Sequence, residues 1–145
     1  GWDKVKKIVV IDGQGGRMGK SIIEQLKKNC PEELDFRIYA LGTNSAATQA
    51  MIKGGADFGA TGENPMIVNC KDADMIIGPI GILIADSLLG EITPAMAVAV
   101  GSSSAYKILI PVNRCNHHIV GCQEAPLGEY LQQVCQEAVK QMKNR

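Results

Sequence analysis

Aromatic residues make up only 4% of this 145-residue chain, too few to build the stacked platforms on which single-stranded nucleic acids lie. Net charge is equally scarce. Fifteen Lys and Arg cancel fifteen Asp and Glu, and a pI near 6.9 leaves no field to draw the chain to nucleic acid or to an anionic membrane. Partners of both kinds are therefore not expected. Long apolar runs are missing as well: the nearest approach, residues 75–85, is broken by Gly78, Pro79 and Gly81 and flanked by Asp74 and Asp86, well short of the roughly 20 residues of a spanning helix. Residues 1–7 hold no signal-like apolar stretch, and a leading Gly1 is read as a processed start, so the expected location is cytoplasmic. Five cysteines, an odd number with no CxxC pair, suit reduced thiols better than a disulfide framework.

What is present is an ordinary globular mix, 46% hydrophobic and 21% charged with mean hydropathy +0.02 in 15.5 kDa. That is one compact domain. A separately cored substrate domain does not fit, so an enzyme of this size would complete its site from a second chain, and a homo-oligomer is expected.

Short apolar runs alternate with helix-patterned segments. Lys7-Ile8-Val9-Val10-Ile11-Asp12 has the continuous β-branched character of a parallel strand covered on both faces. It gives way to glycines, after which Met18, Ile22, Ile23 and Leu26 recur at helical spacing until Pro31 blocks continuation. The same reasoning predicts strands at 36–41, 57–60, 73–77 and 107–112, and helices at 45–53, 64–72 and 93–102, the last opened by Thr93-Pro94. Residues 81–91 suit a strand or a buried helical turn equally and stay unassigned. A turn at 114–116 is expected to lead into an antiparallel sixth strand at 118–122, before a terminal helix with Leu127, Leu131, Val134, Ala138 and Met142 on one face. The order implies an α/β, Rossmann-like, doubly wound and mainly parallel sheet with helices on both faces.

The sharpest motif is Asp12-Gly13-Gln14-Gly15-Gly16-Arg17-Met18-Gly19, placed where the first strand turns into the first helix. Glycine there lets backbone approach a ligand's phosphates, while free N–H groups at the helix start attract negative charge. The spacing is GxxGxxG, with Gly19 allowing close helix-to-sheet packing. A turn serving packing alone is the structural alternative. The run GxxGRMG resembles the nucleotide loop of dihydrodipicolinate reductases over roughly the first 30 residues, a resemblance that implies NADH or NADPH as cofactor, with Gly13, Gly16, Arg17, Met18 and Gly19 in the loop and Arg17 near the adenosine ribose or its phosphate. Those reductases follow a histidine pair with a lysine and an SGT loop, whereas His117-His118 here precede Ile119 and Val120, so their activity is not carried over. Taken whole, the chain is similar to a group of small bacterial Rossmann-like proteins of uncharacterised function, which implies the fold.

NAD sites place an acidic residue after the second strand, about 20 residues past the loop, to hold the ribose hydroxyls. Here that segment includes Thr43, Asn44 and Ser45. With hydroxyls and Arg17 in place of a carboxylate, the reading tilts to NADP over NAD. Gly78, Pro79, Ile80 and Gly81 follow the fourth strand and are expected to face the middle of the bound cofactor. Gly59, Thr61, Gly62 and Asn64 are candidate polar contacts, and Asn113 and Arg114 a clamp for carboxylate or phosphate. A rival reading takes Gly19-Lys20-Ser21 as the tail of a P-loop, although its first glycine would fall at Gln14.

His117 and His118 are the only histidines, and either one suits a proton donor to substrate. With Cys115 and Cys122 they also form the alternative of a metal site, at a spacing that matches no standard zinc motif. Two functions stand side by side: a small NAD(P)-dependent oxidoreductase, and a non-enzymatic nucleotide- or redox-sensing module. In either case the terminal helix and residues 81–99 are the expected contacts with a second copy.

Overall fold

The computed structural model describes residues 5–112 and 116–144. Five strands, β1 (Lys6–Asp12), β2 (Phe36–Gly42), β3 (Phe58–Thr61), β4 (Met75–Pro79) and β5 (Tyr106–Ile110), form one sheet in the order β3-β2-β1-β4-β5. All four neighbouring pairs are parallel. Five helices intervene or come after: α1 (Arg17–Asn29), α2 (Ser45–Lys53), α3 (Glu63–Asn69), α4 (Pro94–Gly101) and α5 (Leu127–Asn144). This arrangement is compatible with a Rossmann-like fold.

The unbroken apolar character of β1 reflects its central place. Ile8 and Val10 pack into a cluster with Ile22, Ile23 and Leu26 of α1 and Leu131, Val134 and Ala138 of α5. Val9 and Ile11 enter a second cluster, on the other face, with Met66 of α3 and Met96 and Val100 of α4. Both faces are thus covered, as a parallel sheet requires. Two helices begin on side-chain caps that fix where they start: Asn44 accepts from the Ala47 amide at 2.9 Å, and Thr93 accepts from the Met96 amide at 3.1 Å, with Pro94 in the first turn. Helix α1 has no such cap, and opens instead on Gly16 in a left-handed conformation, φ 72°.

The expected antiparallel strand at 118–122 does not form. Among residues 116–126 there is no strand: Gly121 has φ 80°, the Cys122 amide folds back onto the Ile119 carbonyl at 3.1 Å, and Val120 is 90% exposed. A short apolar stretch that turns on itself and buries little cannot add to a ladder. The fifth strand also stops earlier than expected, at Ile110, because Pro111 has no amide to donate. Residues 81–91, left open by the sequence, resolve with Ile80 into a 3-10 turn at Ile80–Leu83 and then tight turns in which Asp86, Leu88 and Leu89 all carry positive φ, at 66°, 55° and 56°. Three non-glycine residues in that region within four positions is uncommon.

Candidate functional site

The glycine loop sits at the carboxyl edge of the sheet, between the end of β1 and the start of α1. Its shape is fixed by Asp12, a residue only 6% exposed. One carboxylate oxygen accepts from the Gly13 amide at 2.8 Å, and the other reaches across the loop to the Gly19 amide at 2.7 Å. Burial drives the Asp12 pKa above the ordinary aspartate value, against the opposing pull of these amide bonds. The carboxylate therefore does internally for α1 what an N-cap side chain would do.

Each glycine has its own reason. A Cβ on Gly16 would meet the Ala47 carbonyl oxygen at 2.6 Å, and one on Gly19 would strike the Met51 side chain, so both let α1 lie close against its neighbours. A Cβ on Gly13 would come within 2.9 Å of Glu91 and 2.7 Å of Thr43. Gly15 is different, with nothing within 4 Å of where its Cβ would stand. Its amide and that of Arg17 have no acceptor among the described residues.

A cavity of about 530 Å³ adjoins the loop, lined by Asp12, residues 13–18, Lys20, Ser21 and Glu24 on one side and by Pro79, Leu88, Val112 and Leu127 on the other. A larger one of about 1000 Å³ runs along β5 and α5, lined in part by Glu129 and Tyr130 of the first turn of α5, but the glycine loop does not open into it.

The expected residues are only partly brought together. Gly13, Gln14, Gly15, Gly16, Arg17 and Met18 line the loop cavity, as do Lys20 and Ser21; Gly19 is buried beneath it. Of residues 78–81, Pro79 alone contributes lining, while Gly78 lies against the Ile11 backbone and the Gly81 carbonyl accepts from Ser87. Ile80 opens the 3-10 turn. Thr61 bonds to Thr48, and Gly59, Gly62 and Asn64 lie outside the cavity lining. His117 and His118 are exposed and line neither cavity. Asn113, Arg114 and Cys115 lie outside the described residues; Cys122 lines the β5 groove, and no cluster of three metal-ligating side chains occurs among the described residues.

Thr43 and Asn44 serve a residue the sequence did not single out. Glu91 Oε1 accepts from the Gln14 amide at 2.8 Å, from Asn44 Nδ2 at 2.9 Å and from the Thr43 hydroxyl, while Asn44 Nδ2 also donates to the Gln14 carbonyl at 2.9 Å. Gln14 is thereby held at both ends of its peptide in a left-handed conformation, φ 50°. Ser45, the first residue of α2, stays exposed. Partial burial works against the Glu91 charge, but the bonds from Thr43, Gln14 and Asn44 outweigh it and hold its pKa below the ordinary glutamate value. The sequence carried one signal for this residue: between Pro79 and Gly101 only Asp86 and Glu91 are charged.

The chain belongs to the DUF3842 family, a domain of unknown function, which it matches over residues 7–143. No curated protein matches the sequence.

Proposed function

We propose that this member of the DUF3842 family binds a phosphorylated nucleotide at loop 13–19, with a nicotinamide dinucleotide as the leading ligand. The observation that carries the reading is the pair of unspent amides, Gly15 and Arg17, at a helix start beside the cavity. Packing accounts for Gly13, Gly16 and Gly19 but not for Gly15, which leaves open space where a phosphate would approach backbone. Arg17 and Lys20, both in the cavity lining, supply positive charge.

Between the two functional classes, the sensing module is the better supported. An oxidoreductase using His117 or His118 needs one of them at the cofactor, and both lie on an exposed segment away from the cavity. A second copy is the partner proposed for the 81–99 stretch, where Leu89 is 94% and Val98 65% exposed.

Calorimetric titration with NADH, NADPH, ATP and AMP tests the reading, in the native protein and in Gly15→Asp. That substitution adds an anion where the fold leaves room, so stability should hold while phosphate is repelled. Micromolar binding of a nicotinamide nucleotide, weakened about tenfold or more in the variant, is the expected result. Absence of binding to the native protein, or equal binding to both, refutes it.

A further inference from the structure

Of the groups expected to receive a 2′-phosphate, the Thr43 hydroxyl is already engaged, while Ser45 is exposed and Arg17 lines the loop cavity. The Thr43 hydroxyl, Asn44 Nδ2 and the Gln14 amide all converge on Glu91 Oε1. Glu91 Oε2 has no hydrogen-bond partner among the described residues. Rossmann sites for NAD place a carboxylate at the end of the second strand, where it accepts from the ribose hydroxyls. In this chain β2 ends in Gly42 and no acidic residue comes next, yet a carboxylate stands against the β2–α2 connection all the same, delivered from the far side of β1 by the segment after β4.

We propose that Glu91 is the ribose acceptor of the nucleotide site, and that the site selects a ligand whose adenosine 2′-hydroxyl is free over one that is 2′-phosphorylated. This deepens the nucleotide reading above and rests on it. A 2′,3′-diol donates to Oε2; a 2′-phosphate instead sets like charge against a carboxylate. The three bonds to Oε1 keep Glu91 ionised at neutral pH, so the repulsion is present where the ligand would bind. The carboxylate is also held in place. Leu88, three residues earlier, is buried, the Ser87 hydroxyl donates to the Gly81 carbonyl, and only a glycine at position 13 leaves room for Oε1. On this assignment the preference runs to NAD, against the tilt toward NADP that the sequence drew from hydroxyls at 43–45 and from Arg17.

The test compares NADH with NADPH, and 5′-AMP with adenosine 2′,5′-bisphosphate, by calorimetry on the native protein, Glu91→Gln and Glu91→Asp, with thermal melts to confirm folding. The native protein should favour each 2′-hydroxyl ligand by about tenfold or more. Glu91→Gln should reduce that preference to within about threefold, and Glu91→Asp, which keeps the charge, should retain most of it. Should Glu91→Gln not fold, the native preference within both ligand pairs and its retention in Glu91→Asp decide the matter. Equal or tighter binding of the 2′-phosphorylated ligands, or an unchanged ratio in folded Glu91→Gln, overturns the assignment while leaving the loop as a nucleotide site. If no nucleotide binds the native protein at all, the loop reading fails and takes this one with it.

Discussion

Replacing Asp12 by alanine removes the acceptor for two amides, those of Gly13 and Gly19, in a place only 6% exposed. A buried amide left without a partner costs about 1–3 kcal/mol, so the gross loss is about 2–6 kcal/mol. Part is returned, because burial raises the Asp12 pKa and deleting the carboxylate also deletes an ion the fold desolvates. The net destabilisation is then about 1–4 kcal/mol, which for a chain of this length lowers Tm by about 3–13 °C. Asp12→Asn, which restores one acceptor but turns an NH₂ toward the other amide, should fall between native and alanine. The raised pKa sets the pH dependence. Between the ordinary value of 3.8 and the higher folded value, the folded state binds more protons than the unfolded one, so this group makes stability fall as pH rises through that window and then level off. Asp12→Asn should lack that decline. Thermal melts by circular dichroism across acid pH read both effects. A Tm for Asp12→Ala within about 2 °C of native would refute the argument, since it would mean that water or a loop rearrangement satisfies both amides.

The loop glycines should separate sharply in urea unfolding. Gly15→Ala, with nothing to meet, should be neutral within about 0.5 kcal/mol, whereas Gly16→Ala, with φ 72° and the Ala47 backbone in its way, should cost more than about 2 kcal/mol; equal effects would show that the loop does not pack against α2 as described. Cys30 and Cys70 thiols are pushed up to about 11 by burial, leaving about one thiolate in three thousand near pH 7.5. Their tryptic peptides should therefore label slowly with iodoacetamide in the native protein, faster by about tenfold per pH unit up to about pH 10, and labelling at the rate of urea-unfolded protein near neutral pH would contradict their burial.

The strand, glycine loop and helix at the start of the chain were legible because three local signals coincide there: a β-branched run, a helical period in Ile22, Ile23 and Leu26, and glycines between. Local signals also placed the other four strands within about two residues. Where they failed, backbone turns or distant contacts that the residue pattern does not announce decided the course. The stretch His118-Ile119-Val120 alternates no worse than a strand, yet Gly121 turns at φ 80° and the Cys122 amide closes back on the Ile119 carbonyl. Residues 81–91 gave no period to trace because their course is set by left-handed residues at 86, 88 and 89, and nothing in Asp, Leu or Leu announces that conformation. Asp12 was seen as the end of a strand, and its part in shaping the loop needed the position of Gly19. Thr43 and Asn44 were singled out for the right neighbourhood, yet what they hold, Glu91, could be placed there only by the fold.

Two carboxylates shape the loop, and they reach it from very different distances along the chain. Asp12 bonds to an amide seven residues away, while Glu91 bonds to one 77 residues away. The first stitch needs only a strand end and a helix start, so residues 5–30 in that arrangement carry what shapes this part of the loop. The second requires β1, β2 and β4 to be side by side. If loop 13–19 holds a phosphate as we propose, that capacity is written in one short stretch, whereas the discrimination we assign to Glu91 belongs to the assembled sheet.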